Sequence, residues 1–262
     1  MIKISNREII DVLKYSDDKV ILVEKKPNVD ASGYGVNYFI LNFSTGEKEI
    51  ITKDAYLLKK YGANRKIIAQ KLGNFVTPSA IVMADRSVLV IYPTGETGLF
   101  NSDGELVKDG VLDYNGSPLS GIALDGEYFW SVCQKENCVI RYFIDGVKVD
   151  IRVGMAEQNT FPNPHFVSSD KENVYVCCNH NRIRKIDKAT LTVSDVDKTY
   201  SDMTQGILLF DDALIIEGIS RKWYSCKPRI EITFKYMEEY DSEYNRKRIF
   251  KAERHKTLED EK

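Results

Sequence analysis

Apolar and polar residues alternate in short bursts along this chain, and the bursts recur in a fixed order. Asn173-Val174-Tyr175-Val176-Cys177-Cys178 has the β-branched and aromatic bias of a strand. Asn179-His180-Asn181 makes a polar turn, after which Arg182-Ile183-Arg184-Lys185-Ile186-Asp187 alternates at strand period. Lys188-Ala189-Thr190 turns the chain once more into Leu191-Thr192-Val193. The same order occupies 128–132, 138–143 and 148–151 one copy upstream, and 88–92, 98–100 and 105–107 before that. Related stretches at 77–85, 117–125 and 163–170 lead each copy.

The third-strand residues Phe100, Phe143 and Ile186 are 43 residues apart each time. Four strands in roughly 40–45 residues is the size of one β-propeller blade, and no single copy can bury its own apolar faces. Weaker copies flank these three. Segments 19–23, 38–43 and 48–51 make an earlier unit, and 205–211, 213–216 and 229–234 a later one. The pattern predicts an all-β fold: a five- or six-bladed β-propeller of four-stranded antiparallel blades.

Two regions break the repeat. Residues 53–62 read as a short helical insertion, with Asp54 near its start and Gly62 as its stop. Residues 66–70 beyond it read as an outer strand or the remains of a further blade. The tail carries Glu238-Glu239, Arg246-Lys247-Arg248 and Glu259-Asp260-Glu261, and reads as a charged, partly helical extension. The expected organisation is a propeller over 1–236 and a C-terminal extension over 237–262.

The order of a proline, a small or apolar run, an aspartate, a strand, an Asn-rich turn and Arg-Ile-x-Lys-Ile-Asp is similar to the NHL repeat of β-propellers. It is best matched over Val174–Asp187, extends over about residues 77–195, and shares the WD40-like blade plan. The resemblance implies a propeller. It also implies a spread of roles, because NHL-like propellers bind proteins, RNA or glycans in some members and hydrolyse small molecules in others.

Composition narrows that spread. In 262 residues, 37 Lys and Arg face 39 Asp and Glu, for a net charge of −2. Such balance is not the basic field of a nucleic-acid binder. Residues 1–8 lack the basic start and apolar run of a secretory signal, and no apolar stretch approaches the roughly 18 residues a membrane span needs. The five cysteines, an odd count, do not read as a disulfide framework. A cytoplasmic protein without nucleic-acid or membrane partners is the expectation.

Propeller geometry places the loops leading into each blade, and the turns between second and third strands, around one mouth of the central channel. The candidate ligand-binding residues there are Tyr34, Tyr92, Asn137, His165, Asn179, His180, Gln205, Arg221 and Trp223. They combine flat aromatic surface with amides and a guanidinium, which suits a protein, peptide or glycan. No catalytic residue, metal site or cofactor is read from the sequence. His165 and His180 have no partner carboxylate fixed by spacing, and adjacent Cys177 and Cys178 point to opposite faces of one strand. The nucleophile elbow, phosphate loop and zinc-helix motifs are missing. The functional expectation is a non-catalytic binding or scaffold module working through its channel-mouth loops. The alternative is a propeller hydrolase or lyase acting on a glycan or lactone. It would need a metal or a carboxylate pair in the channel, drawn from acids such as Glu24, Asp30, Glu96, Asp202 and Glu217. Neither the partner nor the oligomeric state is written in the sequence.

Overall fold

Strand β13 (Tyr128–Cys133) shows why these segments stack as blades. Its side chains alternate across the sheet, so Trp130 and Val132 enter one buried cluster while Phe129 and Cys133 enter another. A strand buried on both faces requires a sheet on either side of its own. The computed structural model describes residues 1–7, 9–16, 18–25, 36–51, 79–82, 87–91, 95–101, 105–144, 148–155, 157–158, 160–179, 182–196, 202–210, 213–224 and 229–258. Among the described residues the strands form five blades, each an antiparallel meander.

Blade one is β2 (Ile9–Ser16), β3 (Lys19–Lys25), β4 (Val36–Asn42) and β5 (Lys48–Ile51). Blade two is β6 (Ser79–Val82), β7 (Val88–Ile91), β8 (Glu96–Phe100) and β9 (Leu106–Val111). A small hairpin of β10 (Asp113–Tyr114) and β11 (Ser117–Pro118) leads into blade three. That blade joins β12 (Ser120–Asp125) to β13, β14 (Cys138–Phe143) and β15 (Val149–Val153). Blade four is β16 (Phe166–Ser169), β17 (Asn173–Cys178), β18 (Arg182–Asp187) and β19 (Val193–Val196). Blade five is β20 (Met203–Leu209), β21 (Ala213–Tyr224), β22 (Arg229–Asp241) and β23 (Arg246–Leu258).

The first strands run side by side around the axis: β6 lies beside β12, β12 beside β16, β16 beside β20, and β20 beside β2. Separate apolar clusters fill the gaps between blades two and three, three and four, four and five, and five and one. The ring closes non-covalently. Strand β1 (Ile2–Ser5) adds in parallel to the outer edge of β23, with Ile2 opposite Phe250 and Ser5 opposite Ala252. The Ser5 hydroxyl donates to buried Glu24 of blade one, which also faces Arg7 at 3.5 Å and Lys48 at 3.6 Å. Arg248 of β23 donates to the Ser44 carbonyl at 3.0 Å, tying blade five to the β4–β5 turn.

A second tie crosses blades three and four. Asp125 accepts the Trp130 indole N–H at 2.8 Å and the Lys188 ammonium at 2.6 Å, and Lys188 also reaches the Asp170 carbonyl. Asp125→Ala strips a fully buried indole of its acceptor and is expected to lower stability by about 1–3 kcal/mol. Asp125→Asn keeps an acceptor and should lose less. Denaturant titration of both variants checks the order, and equal losses would contradict it.

The helical expectation for the tail is corrected. Residues 237–241 and 246–258 are strand, continuing β22 and forming β23. Arg248 lies opposite Glu239 and holds it with two bonds of 2.6 and 2.9 Å, and Arg246 reaches Glu238 at 3.3 Å. Both glutamates are buried. Charge that reads along the chain as a solvated tail is therefore paired between strands. Residues 220–223, expected as a turn, are also strand, with Ser220 opposite Phe234 and Trp223 opposite Glu231. The innermost strand of blade one, β2, is one the repeat pattern does not mark. The helical insertion expected over 53–62 and the strand over 66–70 fall outside the described residues.

Candidate functional site

The meander order puts the loops leading into β12, β16 and β20 on the same face as the β13–β14 and β17–β18 turns. The loop from Gly154 to His165 organises this mouth face. Phe161 is fully buried in the core between blades three and four and anchors the loop from below. Gly154 has φ +89, and a Cβ there would fall 2.7 Å from the Phe161 ring, so both conformation and space require glycine.

Blades on either side hold the loop by its backbone. The Asn163 N–H donates to Asn137 Oδ1 at 3.1 Å, and Asn137 itself adopts φ +48 to close its turn. The Asn179 N–H donates to the Pro162 carbonyl at 2.9 Å, and Arg184 donates to the Thr160 carbonyl at 2.7 Å. His165 continues the series into blade five. Its Nε2 meets the Thr204 carbonyl at 2.5 Å and its Nδ1 the Asn163 carbonyl at 3.3 Å, while its backbone N–H donates to the Cys177 carbonyl at 3.0 Å.

Three innermost strands are bulged at their mouth ends. The extra residue is Ile10 in β2, Gly121 in β12 and Gln205 in β20. Bulges of this kind re-aim side chains at barrel rims and beside functional sites. At Gly121 (φ +67) a Cβ would press within 3.2 Å of the Phe166 Cα, and the Ser131 hydroxyl donates to the Gly121 carbonyl at 2.7 Å. At Gln205 the bulge brings Oε1 to the Lys235 ammonium at 2.7 Å, and Lys235 pairs with Glu217 at 2.6 Å. Among the described residues, the buried hydroxyls of Ser117 and Ser120 meet no hydrogen-bond partner, and the Thr204 hydroxyl faces the Cys177 thiol, which burial pushes up from its ordinary pKa.

Of the nine candidate ligand residues, Asn137, His165 and Asn179 come together around the 154–165 loop, and Gln205 lies next to the Thr204 carbonyl that His165 binds. Arg221 and Trp223 belong to β21, at register positions opposite Thr233 and Glu231. Tyr34, Tyr92 and His180 lie outside the described residues. Sequence reasoning did not find the Glu217–Lys235 pair or the buried hydroxyls, because strand pairing rather than spacing assembles them. Two acids considered for the enzymatic alternative, Glu24 and Glu217, are buried and ion-paired. Among the described residues no three His, Cys, Asp or Glu side chains converge as metal ligands.

The most conspicuous feature of this face is the length of blade five. Strands of blades two to four span 4–6 residues, whereas β21, β22 and β23 span 12, 13 and 13. The innermost β20 begins at Met203, opposite Ile219. Beyond that point β21, β22 and β23 continue together through 220–224, 229–234 and 253–258. At about 3.3 Å per residue this three-stranded ribbon rises roughly 15 Å past the start of β20 on the mouth side.

No family model matches the chain, and no curated protein matches its sequence. Among solved structures, a chain from a nidogen/laminin complex aligns with a TM-score of 0.52 at 11% identity, covering 97% of this chain and 86% of that one. A streptogramin B lyase aligns with a TM-score of 0.45 at 13% identity, covering 98% and 85%. A computationally designed protein aligns with a TM-score of 0.47 at 12% identity, covering 95% and 89%. The first likeness supports the propeller fold, and at that identity it speaks for the fold alone.

Proposed function

We propose that this chain is a non-catalytic binding or scaffold propeller that takes a protein or peptide partner on its mouth face, with the blade-five ribbon as the contact platform. The observation that carries this reading is the ribbon itself. Blades two to four pack with strands half as long, so closing the ring does not require it. It also carries Arg221, Trp223, Tyr224 and Arg229, and Trp, Tyr and Arg are the residue types that dominate interface energetics. The resemblance of Val174–Asp187 to the NHL repeat is in keeping with partner binding. A glycan remains within the chemistry of the same face, where amides and aromatics combine. The enzymatic alternative is weakened because Glu24 and Glu217 are already committed to buried ion pairs.

The test is selection from a displayed random-peptide library and screening on a glycan array, followed by titration of the best binder. Arg221→Ala/Trp223→Ala is expected to weaken binding by about 2 kcal/mol or more, roughly thirtyfold in Kd, with an unchanged melting temperature. Undiminished binding by that variant would remove the ribbon from the contact surface. Turnover of a lactone or glycan panel would move the protein to the enzymatic reading.

A further inference from the structure

Cys133 and Cys138 end β13 and begin β14, directly opposite one another in the register, with Gln134–Asn137 as the turn between them. Opposed residues of an antiparallel pair have Cα atoms about 4.5–5.5 Å apart, inside the window of about 4.4–6.8 Å that a disulfide spans. Both side chains enter the same buried cluster between blades two and three as free thiols, close enough to perturb each other's ionisation. That contact holds Cys133 below the ordinary thiol pKa and pushes Cys138 above it. Cys177 and Cys178 offer a contrast within the same molecule. They are neighbours in sequence but lie in different inter-blade cores, so no bond joins them without rebuilding the strand, and burial raises both thiols.

We propose that Cys133 and Cys138 are a redox dithiol that closes to a cross-strand disulfide by exchange with a low-molecular-weight disulfide. In the first step the Cys133 thiolate attacks one sulfur of the small disulfide, forming a mixed disulfide and releasing one small thiolate. Cys138 then gives its proton to the released thiolate and attacks Cys133 Sγ, displacing the second small thiolate, which takes back from solvent the proton that Cys133 had given up. Two protein thiols are oxidised and one small disulfide is reduced to two thiols. Gln134 and Lys135 of the turn are exposed, so reagent approach requires only local opening of this hairpin end.

The bond lies beneath the mouth face. Asn137, in the same turn, accepts the Asn163 N–H, and its carbonyl lies 3.2 Å from the position of a Cβ on Gly154. Oxidation therefore fixes one of the supports of the 154–165 loop. The ring closed by the bond is short, so the loop-entropy contribution to global stability is small, and the readout must be local. The inference is independent of the proposed binding role, since it concerns two thiols and no partner.

The experiment incubates the purified full chain in glutathione buffers of graded oxidised fraction, quenches with acid, alkylates the free thiols and maps peptides by mass. The expected result is a Cys133–Cys138 disulfide formed reversibly, with Cys177 and Cys178 alkylated throughout. The rate should fall as the pH is lowered through an apparent pKa below the ordinary thiol value of about 8.5. Amide exchange at Asn163 should slow by at least severalfold in the oxidised form. Cys133 and Cys138 both staying free at the most oxidising ratio would overturn the proposal, as would a stable glutathione adduct on Cys133 without closure. Mapping the unmodified chain does not depend on whether Cys→Ser variants fold.

Discussion

Glu217→Ala is expected to be among the most destabilising single substitutions in this chain, costing about 3–5 kcal/mol. Glu217 continues the face of β21 that places Ile215 in the core between blades five and one, and Lys235 continues the face of β22 that places Met237 there. Both charged side chains are about 6% exposed, and they meet at 2.6 Å. Removing the carboxylate leaves an ammonium in an apolar seam, with Gln205 Oε1 as a neutral acceptor at 2.7 Å. The larger share of the loss comes from the stranded charge, not from the pair itself. Glu217→Leu/Lys235→Met should therefore recover most of the stability. Denaturant unfolding of the single and double variants reads this directly. A single-variant loss under about 1 kcal/mol would mean that water already reaches the pair.

The position of that pair matters for the fold because the seam between blades five and one holds the contacts that close the ring beside the β1–β23 pairing. The others in that seam are polar too: Ser5 with Glu24, and Arg248 with the Ser44 carbonyl. Propeller closure here depends on buried hydrogen-bonded charge as well as on the apolar cluster of Ile9, Val20, Leu22 and Phe250.

How much of this was legible in the sequence follows from what strand patterns can encode. The recurrence of Phe100, Phe143 and Ile186 marked the third strand of blades two, three and four, and all three lie in β8, β14 and β18. The spacing did not mark the face. Ile186 points into the core between blades three and four, but it is Tyr142, one residue before Phe143, that takes the matching place between blades two and three. Phe143 is exposed. A one-residue shift exchanges the two sides of a strand, and a repeat measured in residues tolerates such a shift. The ends of the chain were less legible for a different reason. Strands β22 and β23 are rich in charge, and only the register, with Arg248 opposite Glu239, shows that those charges neutralise one another.

The mouth face divides in the same way. Turn residues such as Asn137 and Asn179 were readable because a tight turn after a strand demands them, and both hold the 154–165 loop. His165 was readable as a loop residue, but its acceptor is a carbonyl 39 residues onward in the next blade. The bulge at Gln205 and the pairing of Lys235 with Glu217 arise from the alignment of three strands. No local signal encodes that alignment.

Phe161→Ala is the second large effect expected, and it connects the core to the mouth. The ring is fully buried among Trp130, Val153 and Val167, and truncating such a phenylalanine costs about 3–5 kcal/mol through lost burial and the cavity left behind. Phe161→Leu, which keeps most of the volume, should cost less than half of that. The loss is expected to be uneven across the molecule. Amide exchange at Asn163 and Asn179, whose N–H groups bond to Asn137 Oδ1 and the Pro162 carbonyl, should accelerate more than exchange in β22. Gly154 supplies the internal check. A methyl there collides with the Phe161 ring at 2.7 Å in the intact protein, so Gly154→Ala should be strongly destabilising alone and milder when Phe161 is already alanine. The part of its cost that comes from φ +89 should persist in both backgrounds. Additive losses in the double variant, or uniform exchange across all five blades, would mean that the loop is not held from beneath by this ring.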